Sequence, residues 1–212
     1  MTEAAHRCVI ALLIVVSMAA AADAQTDNHI AIGAEWTERL SQGPGSHGDQ
    51  GIGFTWRFGQ STEGWGWSYG LGWYSTDIDR AVAGRTVEWG ELKVRPFMAG
   101  YGYTHVMRRS ALTAELMGGY AFTAFDLKPA AIDAYVAGLG ARSLSADVGN
   151  VLVVRPQLGF WYDVNRRIGV HVGAAYVIAR PKIVVSSTIG DDAVRYKADS
   201  FTLKIGAVYS IF

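Results

Sequence analysis

WGWSYGLGW, Trp65 to Trp73, sets tryptophan, tyrosine or leucine at every odd position and glycine or serine at every even one. Period-two alternation marks a strand whose two faces meet different surroundings. Here the faces differ in bulk more than in charge. Trp65, Trp67, Tyr69, Leu71 and Trp73 share one face, and Gly66, Ser68, Gly70 and Gly72 share the other. A half-solvated strand in water normally carries polar side chains opposite its apolar face, and glycine is a poor substitute for them. Which face points inward therefore decides the fold.

The same alternation recurs along the chain. Ile30, Ile32, Ala34 and Trp36 oppose Gly33, Glu35 and Thr37; Ile52, Phe54, Trp56 and Phe58 oppose Gly51, Gly53 and Arg57. Leu112, Leu116, Tyr120 and Phe122 oppose Thr113, Glu115 and Gly119; Leu152, Leu158, Phe160 and Tyr162 oppose Arg155, Gln157, Gly159 and Asp163. Ile168, Val170, Val172, Tyr176 and Ile178 oppose Gly169, His171 and Gly173, and Phe201, Leu203, Ile205 and Tyr209 oppose Thr202, Lys204 and Gly206. Between Trp89 and His105 the pattern is mixed, because Glu91, Lys93 and Arg95 share a parity with Phe97, Tyr101 and Tyr103. A bulge at Pro96, which has no N–H for the ladder, is expected to exchange the faces there and turn the three charges inward.

Connections alternate in length. Tight turns fall at Gly59–Gly64, Met107–Ser110 and Val164–Arg167, and longer links at Ser41–Gln50, Thr76–Glu88, Asp126–Asn150 and Ser186–Tyr196. This is the pattern of an eight-stranded up-and-down antiparallel barrel, all-β. Two hairpins share a plan, with Val94-Arg95-Pro96 and Val154-Arg155-Pro156 each followed by an Arg-Arg turn.

Volume settles the facing. Eight strands enclose an interior just wide enough for side chains to fill, so the Trp, Tyr, Phe, Ile and Leu set belongs outside and the Gly, Ser, Thr and Ala set inside. A surface that apolar belongs in hydrocarbon. About ten tilted residues cross it, and aromatic girdles edge the apolar band. Trp56, Trp65, Trp67, Phe160, Tyr162 and Tyr209 lie at short-turn ends; Trp36, Trp73 and Tyr176 lie toward the long links.

Residues 1–24 read as a cleaved secretory signal, with His6 and Arg7 before an apolar run and Ala22-Asp23-Ala24 at its end, leaving 25–212 as the barrel domain. Cys8 precedes the run, where a lipid acceptor would follow it. Formal net charge is +0, with 19 basic and 19 acidic residues, so nothing favours nucleic acid as a partner. No Cys/His spacing for zinc occurs, and no metal or cofactor is expected.

In its ending, Lys204-x-Gly206-x-x-Tyr209-x-Ile211 followed by Phe212, the chain resembles the small eight-stranded outer-membrane β-barrel family that includes the OmpA membrane domain and OmpX. The resemblance covers essentially all of residues 25–212 and implies that this ending is an assembly signal read by the barrel-insertion machinery. Phe212 falls one position out of phase with Tyr209 and Ile211, a departure from the family's usual aromatic end. It further implies a monomer in the outer membrane of a Gram-negative-type bacterium, surrounded by outer-membrane lipid and lipopolysaccharide, with short turns periplasmic and long loops external.

For function, the inward charges Glu35, Arg57, Glu91, Lys93, Arg95, Glu115, Arg155, Asp163 and Lys204, with His171, are expected to pair in a network that fills the lumen, since unpaired buried charge is costly. The leading reading is a non-enzymatic envelope-structural or surface-interaction protein; the alternatives are a narrow channel for small solutes and a lipid A-modifying barrel enzyme. The last needs a serine activated by histidine, and Ser46-His47 in a Gly-rich loop reads as a solvated turn. The Asp126–Asn150 link has the composition for a short helix after Pro129, and Arg180 and Lys182 are placed to meet lipopolysaccharide phosphates.

Overall fold

A strand immersed in hydrocarbon has no water for its N–H and C=O groups, so a sheet there must close on itself. The computed structural model describes residues 30–41, 45–47, 50–58, 63–165 and 167–210. The expected signal segment, and Ile211 and Phe212 of the expected assembly signal, lie outside the described residues, as do the side chains of Trp56 and Arg57. The strands are β1 (Ile30–Ser41), β2 (Ser46–His47), β3 (Gln50–Phe58), β4 (Gly64–Val82), β5 (Arg85–Met107), β6 (Ser110–Leu127), β7 (Ser145–Val148), β8 (Val151–Asp163), β9 (Ile168–Ala179), β10 (Lys182–Ser187), β11 (Gly190–Arg195) and β12 (Ser200–Ser210). A helix α1 (Pro129–Asp133) continues as one π-helical turn, Ala134–Gly138.

Eight of these strands form a closed antiparallel barrel in the order β1-β3-β4-β5-β6-β8-β9-β12, with β12 returning to β1 from Ala31↔Ser210 to Ser41↔Phe201. The two-residue β2 adds to β4. β7, β10 and β11 form a separate three-stranded sheet.

The bulky face points outward. Trp65, Trp67, Leu116, Leu152 and Leu158 are each more than half exposed, while Ser68, Gly70, Glu115, Gly159 and Lys204 are buried. Glycine holds the inward face because nothing larger fits at several points. A Cβ on Gly159 would sit 2.6 Å from Thr113 Oγ1 and 2.9 Å from His171 Nε2. By contrast, a Cβ on outward Gly118 would meet nothing within 4 Å.

The expected exchange of faces at Pro96 does not occur. β5 pairs with β6 without interruption from Gly90↔Leu127 to Met107↔Ser110, and Pro96 sits opposite Ala121 with its ring buried. The missing proline N–H only interrupts the β4 side, where the register passes from Leu71↔Phe97 directly to Tyr74↔Val94. The bulge lies farther on, between Ile78 and Asp79. Glu91, Lys93 and Arg95 consequently stay on the outer face with Phe97 and Tyr101, which corrects their assignment to the lumen.

The physical reason is strand length. β4 has 19 residues and β5 has 23, about twice what crosses the hydrocarbon. Beyond Trp73 and Arg95 the wall stands in water, and its polarity inverts. Outside, Lys93 pairs with Asp126 at 2.7 Å and Glu91 at 3.6 Å, and Lys128 with Asp77 at 3.2 Å and Glu88 at 3.3 Å. Inside, Ile78, Leu92, Val94 and Trp89 are almost wholly buried. From Arg95 to Glu91 the strand keeps its facing while its surroundings change; the faces exchange only at the bulge, where Trp89 is the extra residue and turns inward while Glu88 turns out.

Two long links are therefore more ordered than their composition announces. Residues 76–88 form most of a hairpin that closes at Val82↔Arg85 through Ala83 (φ +50) and Gly84 (φ +77), the left-handed pair that suits a two-residue turn. Residues 186–196 form most of the β10–β11 hairpin, which turns at Ser187↔Gly190.

Gly159→Val should strain the lumen by about 2 kcal/mol or more and lower the refolded fraction in detergent, whereas Gly118→Val should refold like the parent. Gel mobility with and without boiling measures both, and equal behaviour of the two variants contradicts the facing described above.

Candidate functional site

Three layers fill the lumen from the short-turn end upward. The lowest is aromatic: Trp161 of β8 and His171 of β9 stack with ring centroids 4.1 Å apart, beside Ala111 and Val208. His171 sits opposite Gly206 and Trp161 opposite Ala111, small residues that leave space for the rings.

The second layer is charged. Lys204 Nζ donates to Glu35 Oε1 at 2.6 Å across the β1–β12 closure, and the two side chains are only 3% and 5% exposed. Glu115 Oε2 accepts from Gln157 Nε2 at 2.7 Å and Ser68 Oγ at 3.1 Å. Arg155 lies buried nearby and donates from Nη2 to Met117 Sδ at 2.8 Å. Of the residues expected to line the lumen, the structure gathers Glu35, Glu115, Arg155, His171 and Lys204. Asp163 is half-buried at the short-turn end, and Glu91, Lys93 and Arg95 belong to the outer wall. Between this layer and the next is a cavity of about 40 Å³ lined by Glu35, Tyr74, Arg155, Ser200, Thr202 and Lys204, with Met98, Val153 and Val177 above.

The third layer is apolar and runs into a cap at the long-loop end. Met98, Met117, Leu92, Val153, Ile183 and Val185 are buried with Trp89, and the cluster continues to Ala131, Tyr135 and Ala141 of the loop that carries α1. Asp192 of β11 ties the cap together. It accepts from Arg80 Nη2 at 2.8 Å and from Tyr135 OH at 2.7 Å, while Trp89 Nε1 donates to the Tyr135 oxygen at 3.2 Å and the Arg80 guanidinium lies 4.6 Å above the Trp89 ring. Burial first, then the hydrogen bond to Asp192, pushes the Tyr135 phenol up to about 12, so it remains a donor at any physiological pH. On the outer side of the same loop Ile132, Val136 and Leu139 are exposed, with Ile189 exposed at the β10–β11 turn.

The sequence reading placed a short helix after Pro129 but missed this cap. Arg80, Trp89, Tyr135 and Asp192 lie up to 112 residues apart, so no local spacing joins them. The available signal was the buried even parity of Ile78 and Val82, which continues the strand past its expected end.

Outward, Trp36, Trp65, Trp67, Trp73, Phe160, Tyr176 and Tyr209 are exposed, and Tyr162 is partly so. Trp65 stacks on Tyr101 at 5.4 Å and meets Tyr103 edge-on at 5.5 Å, an arrangement that fits a membrane–water boundary. Of the ending, Lys204 and Gly206 face in and Tyr209 out. Ser46 and His47 pair by backbone with Ile78 and Asp77. His105 lies 3.4 Å from Glu63 at the short-turn end. Arg180, exposed, lies 3.6 Å from buried Asp199.

A family model described as outer membrane protein beta-barrel domain matches residues 8–207. No curated protein matches by sequence. Among solved structures, outer membrane protein OprG from Pseudomonas aeruginosa is similar at 15% identity, covering 88% of this chain and 98% of that one, with a TM-score of 0.69. Outer membrane protein AlkL, solved in lipid bilayers, is similar at 14% identity over 89% of this chain and 93% of that one (TM-score 0.56). The Escherichia coli outer membrane protein W is similar at 15% identity over 88% and 99% (TM-score 0.52). At these identities the likeness concerns the fold.

Lys204→Met leaves Glu35 buried without its cation and should cost about 3 kcal/mol or more, while adding Glu35→Leu should recover most of the loss. Urea unfolding of the refolded protein in liposomes, followed by tryptophan fluorescence, reads both. Refolding without the assembly machinery separates this effect from any role of Lys204 in recognition.

Proposed function

This chain belongs to the outer membrane protein beta-barrel domain family, and we propose that within the bacterial outer membrane it serves as a closed, non-enzymatic barrel whose working surface is its cap. The carrying observation is the cap's construction. A long loop that merely connects has no need of a buried Trp89–Tyr135–Asp192–Arg80 cluster, and ordered long loops are usually functional. That cluster holds Ile132, Val136 and Leu139 exposed on one side of a rigid element, which suits docking of an apolar partner surface.

In this reading the chain is exported by a cleaved signal, inserted by the barrel-assembly machinery through the Lys204–Phe212 ending, and works as a monomer. Short turns face the periplasm and the cap faces outward. Lipopolysaccharide packs around the upper wall, where Arg95 beside Trp36 and Trp73 suits its phosphates. Arg180 is less suited, because it lies close to Asp199. The Glu35–Lys204 pair and the apolar layer above it favour a lumen that passes little.

Cells displaying the parent should bind a host-cell or neighbouring-cell surface, and Ile132→Ser with Val136→Ser and Leu139→Ser should reduce that binding about tenfold, the effect of 1.4 kcal/mol. Unchanged adhesion by the folded triple variant removes the cap as the working part. In planar bilayers the refolded protein should give no stable, large, solute-permeable openings, and such openings would favour the channel reading instead. Lipid A mass spectra should be unchanged by expression; a new acylation state would favour the enzyme reading.

A further inference from the structure

We propose that four basic residues at the base of the cap, centred on Lys182 and Arg195, form a site for the phosphorylated sugar headgroup of one lipopolysaccharide molecule. Arg180, Lys182, Arg195 and Lys197 are all exposed. Lys182 stands opposite Arg195 in the β10–β11 ladder. Below it, the Tyr196 amide donates to the Pro181 carbonyl at 2.8 Å and the Ala198 amide to the Ala179 carbonyl at 3.0 Å. These bonds continue the same register and set Arg180 opposite Lys197. Both basic pairs fall between the hydrogen-bonded ones, at the positions where facing side chains come closest. Like charges directly opposite each other destabilise a ladder, so this grid gains from a counter-charge.

The carboxylates at hand do not supply it. Buried Asp199 lies 3.6 Å from Arg180 and 3.9 Å from Lys197, which offsets one of the four charges. Asp147, opposite Val184, and Asp191, opposite Ser186, share the face but lie farther toward the tip. Among the described residues neither forms an ion pair with Lys182 or Arg195. The face is therefore polarised, basic at its base and acidic toward its tip. Tyr176 and Phe201, exposed and opposite each other on β9 and β12, lie four residues below Arg180 and Lys197, about 13 Å of strand. That places the cations at headgroup height above the aromatic girdle. A soluble polyanion approaching from outside meets Asp191 first, whereas a headgroup anchored in the bilayer meets the cations. A guanidinium grips two phosphate oxygens at once, and two stacked basic pairs suit a headgroup that carries more than one phosphate. The site is at least three strands round the wall from Arg95, so it takes a different lipid molecule.

This inference rests on the reading that sets the cap outside the cell. The test uses the full chain refolded in detergent and follows the temperature at which boiling-sensitive mobility is lost. Without lipid, Lys182→Gln with Arg195→Gln should leave that midpoint unchanged or raise it, because a repulsive pair is removed. Purified lipopolysaccharide should raise the parent's midpoint by several degrees, since a ligand bound only by the folded state stabilises it. The lipopolysaccharide concentration giving half that rise should be about thirtyfold higher for the variant, which lacks two cations facing an anionic headgroup. Lipopolysaccharide stripped of phosphate should give little rise. An equal rise with the stripped lipid, or equal half-points for parent and folded variant, overturns the proposal. So does an equal rise with soluble polyphosphate, which assigns the cations to a free polyanion. Orientation is read separately, by reacting Ile189→Cys at the exposed tip of the cap with an impermeant maleimide on intact cells. No reaction, with binding kept in detergent, refutes the outward cap and with it lipopolysaccharide as the occupant. Reaction without binding refutes the site alone.

Discussion

Backbone pairing in a medium without water is the constraint from which the rest of this structure follows. Closure of β12 onto β1 removes the edge that would otherwise stand unpaired in hydrocarbon. Closing with eight strands makes the interior narrow, and narrowness makes it small-sided: Gly159 and Gly206 stand where a methyl group would press on Thr113 or on the Ala34 carbonyl. Tryptophan and leucine go outside because the lumen cannot hold them and lipid can.

The same closure makes the lumen's charges expensive. Lys204 and Glu35 bridge the seam between last and first strands at 2.6 Å, so the ion pair that joins the chain's two ends in space lies 169 residues apart in sequence. A buried pair of this kind gives little net stability against an apolar one, yet penalises any register that separates its partners. A slip of one residue at the seam would turn one member toward lipid.

How far the fold was legible follows from where each residue sits. In hydrocarbon the environment is uniform, so alternation alone separates Trp65, Trp67 and Trp73 from Gly66, Gly70 and Gly72. Closure also follows, since an open edge is untenable there. Reading failed at Glu91, Lys93 and Arg95, where charge on the outer parity was taken for a change of face when it was a change of solvent. It failed again at β7, β10 and β11, because the cap's core joins Trp89, Tyr135 and Ile183 through contacts that no periodicity announces. Of the lumen site, Glu35, Arg155 and Lys204 were legible as inward charges. Their pairing, which leaves Arg155 facing a sulfur, required coordinates.

The belt of ion pairs above Trp73 and Phe122 has one further consequence. Drawing Lys93, Asp126 and Lys128 into acyl chains would desolvate charged groups, and lifting Trp65 and Tyr101 would expose rings that sit well at the lower boundary. The barrel's draught is therefore set from both rims, and a bilayer of unsuitable thickness must deform around it rather than let it ride higher or lower.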